Sequence, residues 1–118
     1  MSQPAFTAHV LDTTRGVPAE NISVSVSKIN HSNTTLAQEQ LATAITNANG
    51  RVSQWNVPLE EVESGIYKFR FDTGPYYDSL SMETFYPYVE LTVNINKGQH
   101  YHIPLLLSPF GFTTYRGS

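Results

Sequence analysis

Apolar side chains recur at every second position in several separate stretches of this chain, and a period of two fits only a β-strand with one buried face. Ile22, Val24 and Val26 alternate with Ser23, Ser25 and Ser27. Tyr67, Phe69 and Phe71 alternate with Lys68 and Arg70, and Val89, Leu91, Val93 and Ile95 alternate with Glu90, Thr92 and Asn94. One core face and one polar face per strand is the pattern of an antiparallel sheet. Leu41 to Asn47 reads as a weaker strand, and Asn49-Gly50 predicts a hairpin turn into Arg51 to Trp55. Arg15-Gly16-Val17-Pro18 loops between the first two strands. Asn96-Lys97-Gly98 turns the Val89 strand into the His100 strand, and Pro109-Phe110-Gly111 precedes a C-terminal strand. Asn30 to Thr35 is polar and reads as an exposed loop. Helix is confined to two places: a short one capped by Thr73 and running from Pro75 to near Met82, and a single turn within Pro58 to Ser64. Seven or eight strands within 118 residues predict one domain, residues 1–118, built as an all-β two-sheet sandwich.

Two strands break the one-polar-face rule. In the first, Phe6, Ala8 and Val10 form one face and Thr7, His9 and Leu11 the other. In the last long strand, Tyr101, Ile103, Leu105 and Leu107 form one face and His100, His102, Pro104 and Leu106 the other. Both faces of each strand are substantially apolar, yet each second face also carries histidine. Either these strands are central and covered by a loop, or their outer face is buried against another subunit that keeps polar groups there for a purpose. The pattern weighs equally for both.

Composition removes several classes of function. Seven basic against ten acidic side chains give a net charge of −3 with no basic cluster, which argues against a nucleic-acid partner held by bulk charge. The absence of cysteine excludes disulfides, thiol catalysis, cysteine-based zinc sites and iron–sulfur clusters. The longest aliphatic run, around Ile103 to Leu107, is too short for a membrane-spanning helix. No basic residue precedes Arg15, so no secretory leader is expected. The expected location is cytoplasmic, with the peroxisome as the alternative in a eukaryote, although the terminal Arg-Gly-Ser is not an address of the Ser-Lys-Leu type.

The candidate chemistry lies in few residues. His9 and His102 sit on the second faces of the two unusual strands, and imidazole is the side chain whose ordinary pKa suits proton transfer near neutrality. Each is, on the plainer reading, a solvent-facing strand histidine. Arg51 follows the Asn49-Gly50 turn; it is either a surface charge or a planar fork suited to a flat polar ligand. His100 and His102 form an H-x-H pair to which His9 adds a third nitrogen ligand, a weak zinc signal with no fourth ligand in view. Tyr115, Arg116, Gly117 and Ser118 end the sequence, where fraying is the usual state. No motif activates Ser108 or Ser118 as a nucleophile, and there is no glycine-rich phosphate loop.

Four stretches together resemble the transthyretin-like family. They are Ala8-His9-Val10-Leu11-Asp12-Thr13 with Gly16-Val17-Pro18-Ala19, Asn49-Gly50-Arg51, Gly65-Ile66-Tyr67 to Phe71-Asp72-Thr73, and the run from His100 to Ser118. The Tyr115-Arg116-Gly117-Ser118 ending resembles the hydrolase branch acting on 5-hydroxyisourate rather than the hormone-carrier branch. Phe112 stands where an aromatic residue, often Tyr, is usual, and the Asn30 to Thr35 loop is slightly long. The resemblance implies a sandwich of two four-stranded sheets with one short helix. It implies edge-to-edge dimers stacked as a homotetramer, with active sites at the mouths of the channel between them. It implies hydrolysis of 5-hydroxyisourate in urate degradation, without a cofactor or metal. His9, Arg51, His102 and Ser118 would then be catalytic, and His9, Arg51, Tyr115, Arg116 and Gly117 would bind substrate. A non-catalytic ligand carrier and a metal-dependent hydrolase using His9, His100 and His102 are the other readings. A purely structural adhesion module leaves the polar group on an apolar sheet face unexplained.

Overall fold

The computed structural model describes residues 4–31 and 36–117. The alternating segments form the expected strands: β1 (Phe6–Asp12), β3 (Ser23–His31), β4 (Leu36–Ile45), β6 (Gly65–Phe71), β7 (Val89–Ile95), β8 (Tyr101–Ser108) and β9 (Gly111–Thr114). Two further strands of two residues each are β2 (Val17–Pro18) and β5 (Arg51–Val52), and α1 spans Thr73–Ser79. One sheet runs β4-β3-β6-β7. The other runs β2-β1-β8-β9, with β5 also on β1. The fourth position of this second sheet is therefore shared. Val17–Pro18 pairs with the Leu11–Asp12 end of β1 and Arg51–Val52 with the Ala8–His9 stretch, both antiparallel.

The core follows from parity. Phe6, Ala8, Val10, Leu105 and Leu107 from one sheet meet Val24, Val26, Tyr67, Phe69 and Phe71 from the other, all essentially inaccessible. Phe6 sits edge-on to Phe69, with ring centroids 5.0 Å apart at 90°. Full burial of each such side chain contributes about 1.5–3 kcal/mol, so a sheet slipped by one residue would forfeit the whole set. The pairing of β3 with β4 shifts between Val26 and Ser27, while Ser27 stays on the outer face with Ser23 and Ser25, opposite Lys68 of β6. The extra residue is Leu41 of β4, skipped between Ala42 and Gln40, so the alternation that breaks is that of β4.

Several local expectations are corrected. The strand expected over Leu41 to Asn47 is the longer β4, which begins at Leu36. The loop expected from Asn30 begins later, because β3 runs through His31; residues 32–35 lie outside the described part. Asn49-Gly50 makes a tight turn but not a hairpin, since β5 leaves the β4 sheet and pairs with β1. Turn chemistry fixes a local reversal, whereas the partner of the outgoing strand is a tertiary choice. Pro58 to Ser64 contains no helical turn. Thr73 is the first helical residue rather than the cap, and the cap position, Asp72, makes no side-chain capping bond. Its carboxylate instead accepts from Arg70 Nε at 2.9 Å. The helix stops three residues short of Met82 because Ser81 takes a left-handed φ of 54°. Met82 N–H then donates to Tyr77 C=O and Ser81 N–H to Asp78 C=O, each at 3.0 Å. That pair of bonds is a Schellman stop.

Candidate active site

The pairing that builds the site is parallel and joins the two ends of the chain. β1 lies beside β8 with Thr7 opposite His102, His9 opposite Pro104 and Leu11 opposite Leu106. These six side chains share the outer face of the sheet, because their neighbours Phe6, Ala8, Val10, Ile103, Leu105 and Leu107 point into the core. Arg51 is set across from His9 on β5. Asn47 holds it there, its Oδ1 accepting from the N–H groups of Asn49 at 2.9 Å and of Arg51 at 3.1 Å. Gly50 is required between them. Its φ is 73°, and a β-carbon there would collide with the carbonyl oxygen of Val10.

His102 is braced on two sides. Toward β1, its Nδ1 lies 2.8 Å from Thr7 Oγ1, which is also 3.3 Å from His100 Nε2. His100 Nδ1 in turn lies 2.8 Å from the carbonyl oxygen of Pro4. Toward β9, the chain end continues in register as far as Gly117, which bridges His102 and donates its N–H to His102 C=O at 2.9 Å. A β-carbon on Gly117 would come within 2.7 Å of His102 Cδ2, so the tail lies directly against the imidazole.

Electrostatics favour the neutral form of both candidate bases. His9 is held below the ordinary histidine value of 6.5 by partial burial first and by the nearby Arg51 charge second, with an opposing pull from the Asn49 backbone. His102 is lowered as well, by burial, then Arg51, then His9 and His100. An uncharged imidazole beside a fixed guanidinium can take a proton, while the guanidinium stabilises negative charge developing next to it.

The sequence-nominated residues divide clearly. His9, Arg51 and His102 come together on one face, with Gly117 against His102. Register with β8 puts Tyr115 on that same face, and it is exposed. Arg116 falls on the opposite parity. Its guanidinium stacks over the Tyr101 ring at 4.4 Å and donates to Gln99 Oε1 at 3.1 Å, away from His9 and His102. Ser118 lies outside the described residues. Among the described residues, no three His, Asp or Glu side chains converge as a metal-holding group. Thr7 was not singled out by sequence, although its position two residues before His9 on the same face was a usable signal. A groove of about 990 Å³ lies on the outer face of the other sheet, but its charges are mutually engaged. Lys68 pairs with Glu90 at 3.3 Å and Arg70 with Asp72 at 2.9 Å.

Comparison with known proteins identifies the family and the fold. A Schizosaccharomyces pombe protein described as "Probable 5-hydroxyisourate hydrolase" is 63% identical over 115 residues, covering 98% of this chain and 92% of that protein. The solved 5-hydroxyisourate hydrolase of Klebsiella pneumoniae superposes with a TM-score of 0.78 at 32% identity, over 96% of this chain and 98% of that one. Transthyretin from Sparus aurata superposes at 0.85 with 28% identity, over 96% of each chain. The backbone is therefore common to a described hydrolase and a transthyretin, and only side chains can separate them. Residues 6–117 match the family model described as the HIUase/Transthyretin family, and with a match of that extent the chain belongs to this family.

Proposed function

We propose that this protein hydrolyses 5-hydroxyisourate at the N1–C6 amide-like bond, giving 2-oxo-4-hydroxy-4-carboxy-5-ureidoimidazoline. The carrying observation is the meeting of two neutral imidazoles and one guanidinium, supplied by β1, β8 and β5, on a single sheet face. Water must lose a proton as it attacks C6, and an imidazole of the pair accepts it. Arg51 holds the flat ring and balances charge on the carbonyl oxygen in the transition state. Tyr115 to Gly117 close over the ring and exclude bulk water. Arg116 serves this closure indirectly, its stacking on Tyr101 pinning the tail so that Gly117 meets His102. The 63% identity to a described hydrolase supports the enzyme reading.

The carrier reading has one observation in its favour, the backbone likeness to transthyretin. A carrier site, however, has no use for two imidazoles held neutral beside a cation. Mixing the protein with freshly generated 5-hydroxyisourate and following the decay of its ultraviolet absorbance separates the two readings. Catalytic acceleration is expected, and decay at the spontaneous rate would leave the carrier. We also propose that four copies assemble as a dimer of dimers, with this face lining the space between dimers and the site open to the cytoplasmic pool of substrate. Leu11 and Leu106 support it, being apolar side chains left partly uncovered beside the histidines. The unpaired outer edges of β7 and β9 supply strands for edge-to-edge pairing. Light scattering at the mass of four chains is the expected result; a monomer at micromolar concentration would refute this assembly.

A further inference from the structure

With His100 neutral and both Thr7 contacts made as hydrogen bonds, the chain behind His102 has one consistent direction of donors. Pro4 C=O can only accept, so His100 carries its hydrogen on Nδ1. In neutral His100 the other nitrogen, Nε2, can then only accept, and its partner is the Thr7 hydroxyl. Thr7 has one hydrogen to give. With that hydrogen directed to His100, Thr7 Oγ1 must accept from His102 Nδ1, the shorter contact at 2.8 Å. We infer that Thr7 and His100 are positioning residues that fix His102 in the Nδ1-protonated tautomer, leaving Nε2 with a free lone pair as the base of the hydrolysis.

This assignment rests on the proposed hydrolase activity and settles a question the activity leaves open, namely which imidazole accepts the proton. In the step that follows, water loses a proton to His102 Nε2 as its oxygen bonds to C6. The N1–C6 bond then breaks, and the same proton passes to N1, returning His102 to its starting state. The groups facing His102 are His9 on β1, Arg51 on β5 and His100 immediately before β8; none of them competes for Nδ1. A protonated His100 would reverse the chain. Its Nε2–H would donate to Thr7, Thr7 would donate to His102 Nδ1, and the His102 hydrogen would sit on Nε2, where it blocks the base.

Thr7→Val keeps the shape and the strand preference while removing the hydroxyl; Thr7→Ser restores it. Nitrogen-15 spectra of the imidazoles at neutral pH read the tautomer directly, the His102 signals being those absent from a His102→Gln sample. Wild type and Thr7→Ser are expected to show His102 protonated on Nδ1, and Thr7→Val a mixture or the Nε2 form. Losing an orienting partner of this kind should reduce kcat about 10–100-fold with little change in KM, and Thr7→Ser should recover most of it. A wild-type His102 protonated on Nε2, or a Thr7→Val protein with unchanged tautomer and unchanged kcat, overturns the assignment. The tautomer readout requires no turnover, so it stands or fails separately from the identity of the substrate.

Discussion

Replacing Gly117 by alanine tests the site through a single methyl group. The backbone there is outside the left-handed region, so alanine brings no conformational strain of its own. Its β-carbon would lie 2.7 Å from His102 Cδ2, 3.1 Å from His102 O and 3.2 Å from His102 Cβ. Carbon atoms pack at about 3.5–4.0 Å, so the imidazole and the tail must separate by about 0.8 Å or more. If the ring moves, it leaves the Thr7 hydroxyl; if the tail moves, the bond from Gly117 N–H to His102 C=O is lost and the closure over substrate loosens. Displacements near 1 Å at reacting groups cost on the order of 100-fold in rate, equivalent to about 2.7 kcal/mol of barrier. Stability should stay within about 0.5 kcal/mol, because the substitution is at the chain end and opens no cavity. The assay is the initial rate of 5-hydroxyisourate absorbance decay across substrate concentration, alongside a thermal melt. An alanine variant with undiminished kcat would show that contact between tail and imidazole has no part in catalysis.

Other consequences follow from the same geometry. Because both histidines are held below 6.5, the acid limb of kcat/KM should have its midpoint below that value, activity falling as pH drops through it. Arg51→Gln removes a cation that lowers both, so the limb of its much reduced activity should move to higher pH; a limb that stays in place would refute the electrostatic coupling. Asp12 is 1% exposed and accepts from Tyr76 Oη at 2.7 Å and Arg15 N–H at 3.0 Å, and burial together with that carboxylate pushes the Tyr76 phenol up to about 12. Tyr76→Phe leaves a buried carboxylate short of a donor and should cost about 1–3 kcal/mol in urea unfolding, with kcat unchanged. If no metal takes part, activity should survive prolonged treatment with a strong chelator, and loss restored by added zinc would favour the metal-dependent reading instead.

What could be read from sequence, and what could not, divides along the range of the interactions. Parity exposed β1, β3, β6, β7 and β8 because an alternating pattern is local and one buried face enforces it. The same parity put His9 and His102 on outer faces beside Leu11 and Leu106, which is where they lie. It could not show that β1 and β8 are parallel neighbours, because residues such as Thr7 and His102, 95 apart in sequence, meet only through tertiary pairing. Nor could it show that β5 leaves Asn49-Gly50 for β1, the step that brings Arg51 to His9. The orientation of the Arg116 side chain was equally out of reach, since strand alternation turns it toward Tyr101 while Gly117 lies against His102.

Placement of the reactive groups on a sheet face rather than in a loop has a mechanistic consequence. Cross-strand register fixes the spacing of Thr7, His9, Arg51 and His102 through backbone hydrogen bonds, so little ordering remains when substrate arrives. It also leaves the face open in a single chain, and water excluded from a reacting amide must be kept out by something. Within one chain that task falls to the tail at Tyr115 to Gly117; in an assembly a second copy laid over Leu11 and Leu106 would share it. One backbone can therefore serve as carrier or catalyst. The carrier needs only the covered apolar face, whereas the enzyme also needs the polar chain from Pro4 through His100 and Thr7 to His102, set against Arg51 and closed by a glycine small enough to touch the ring.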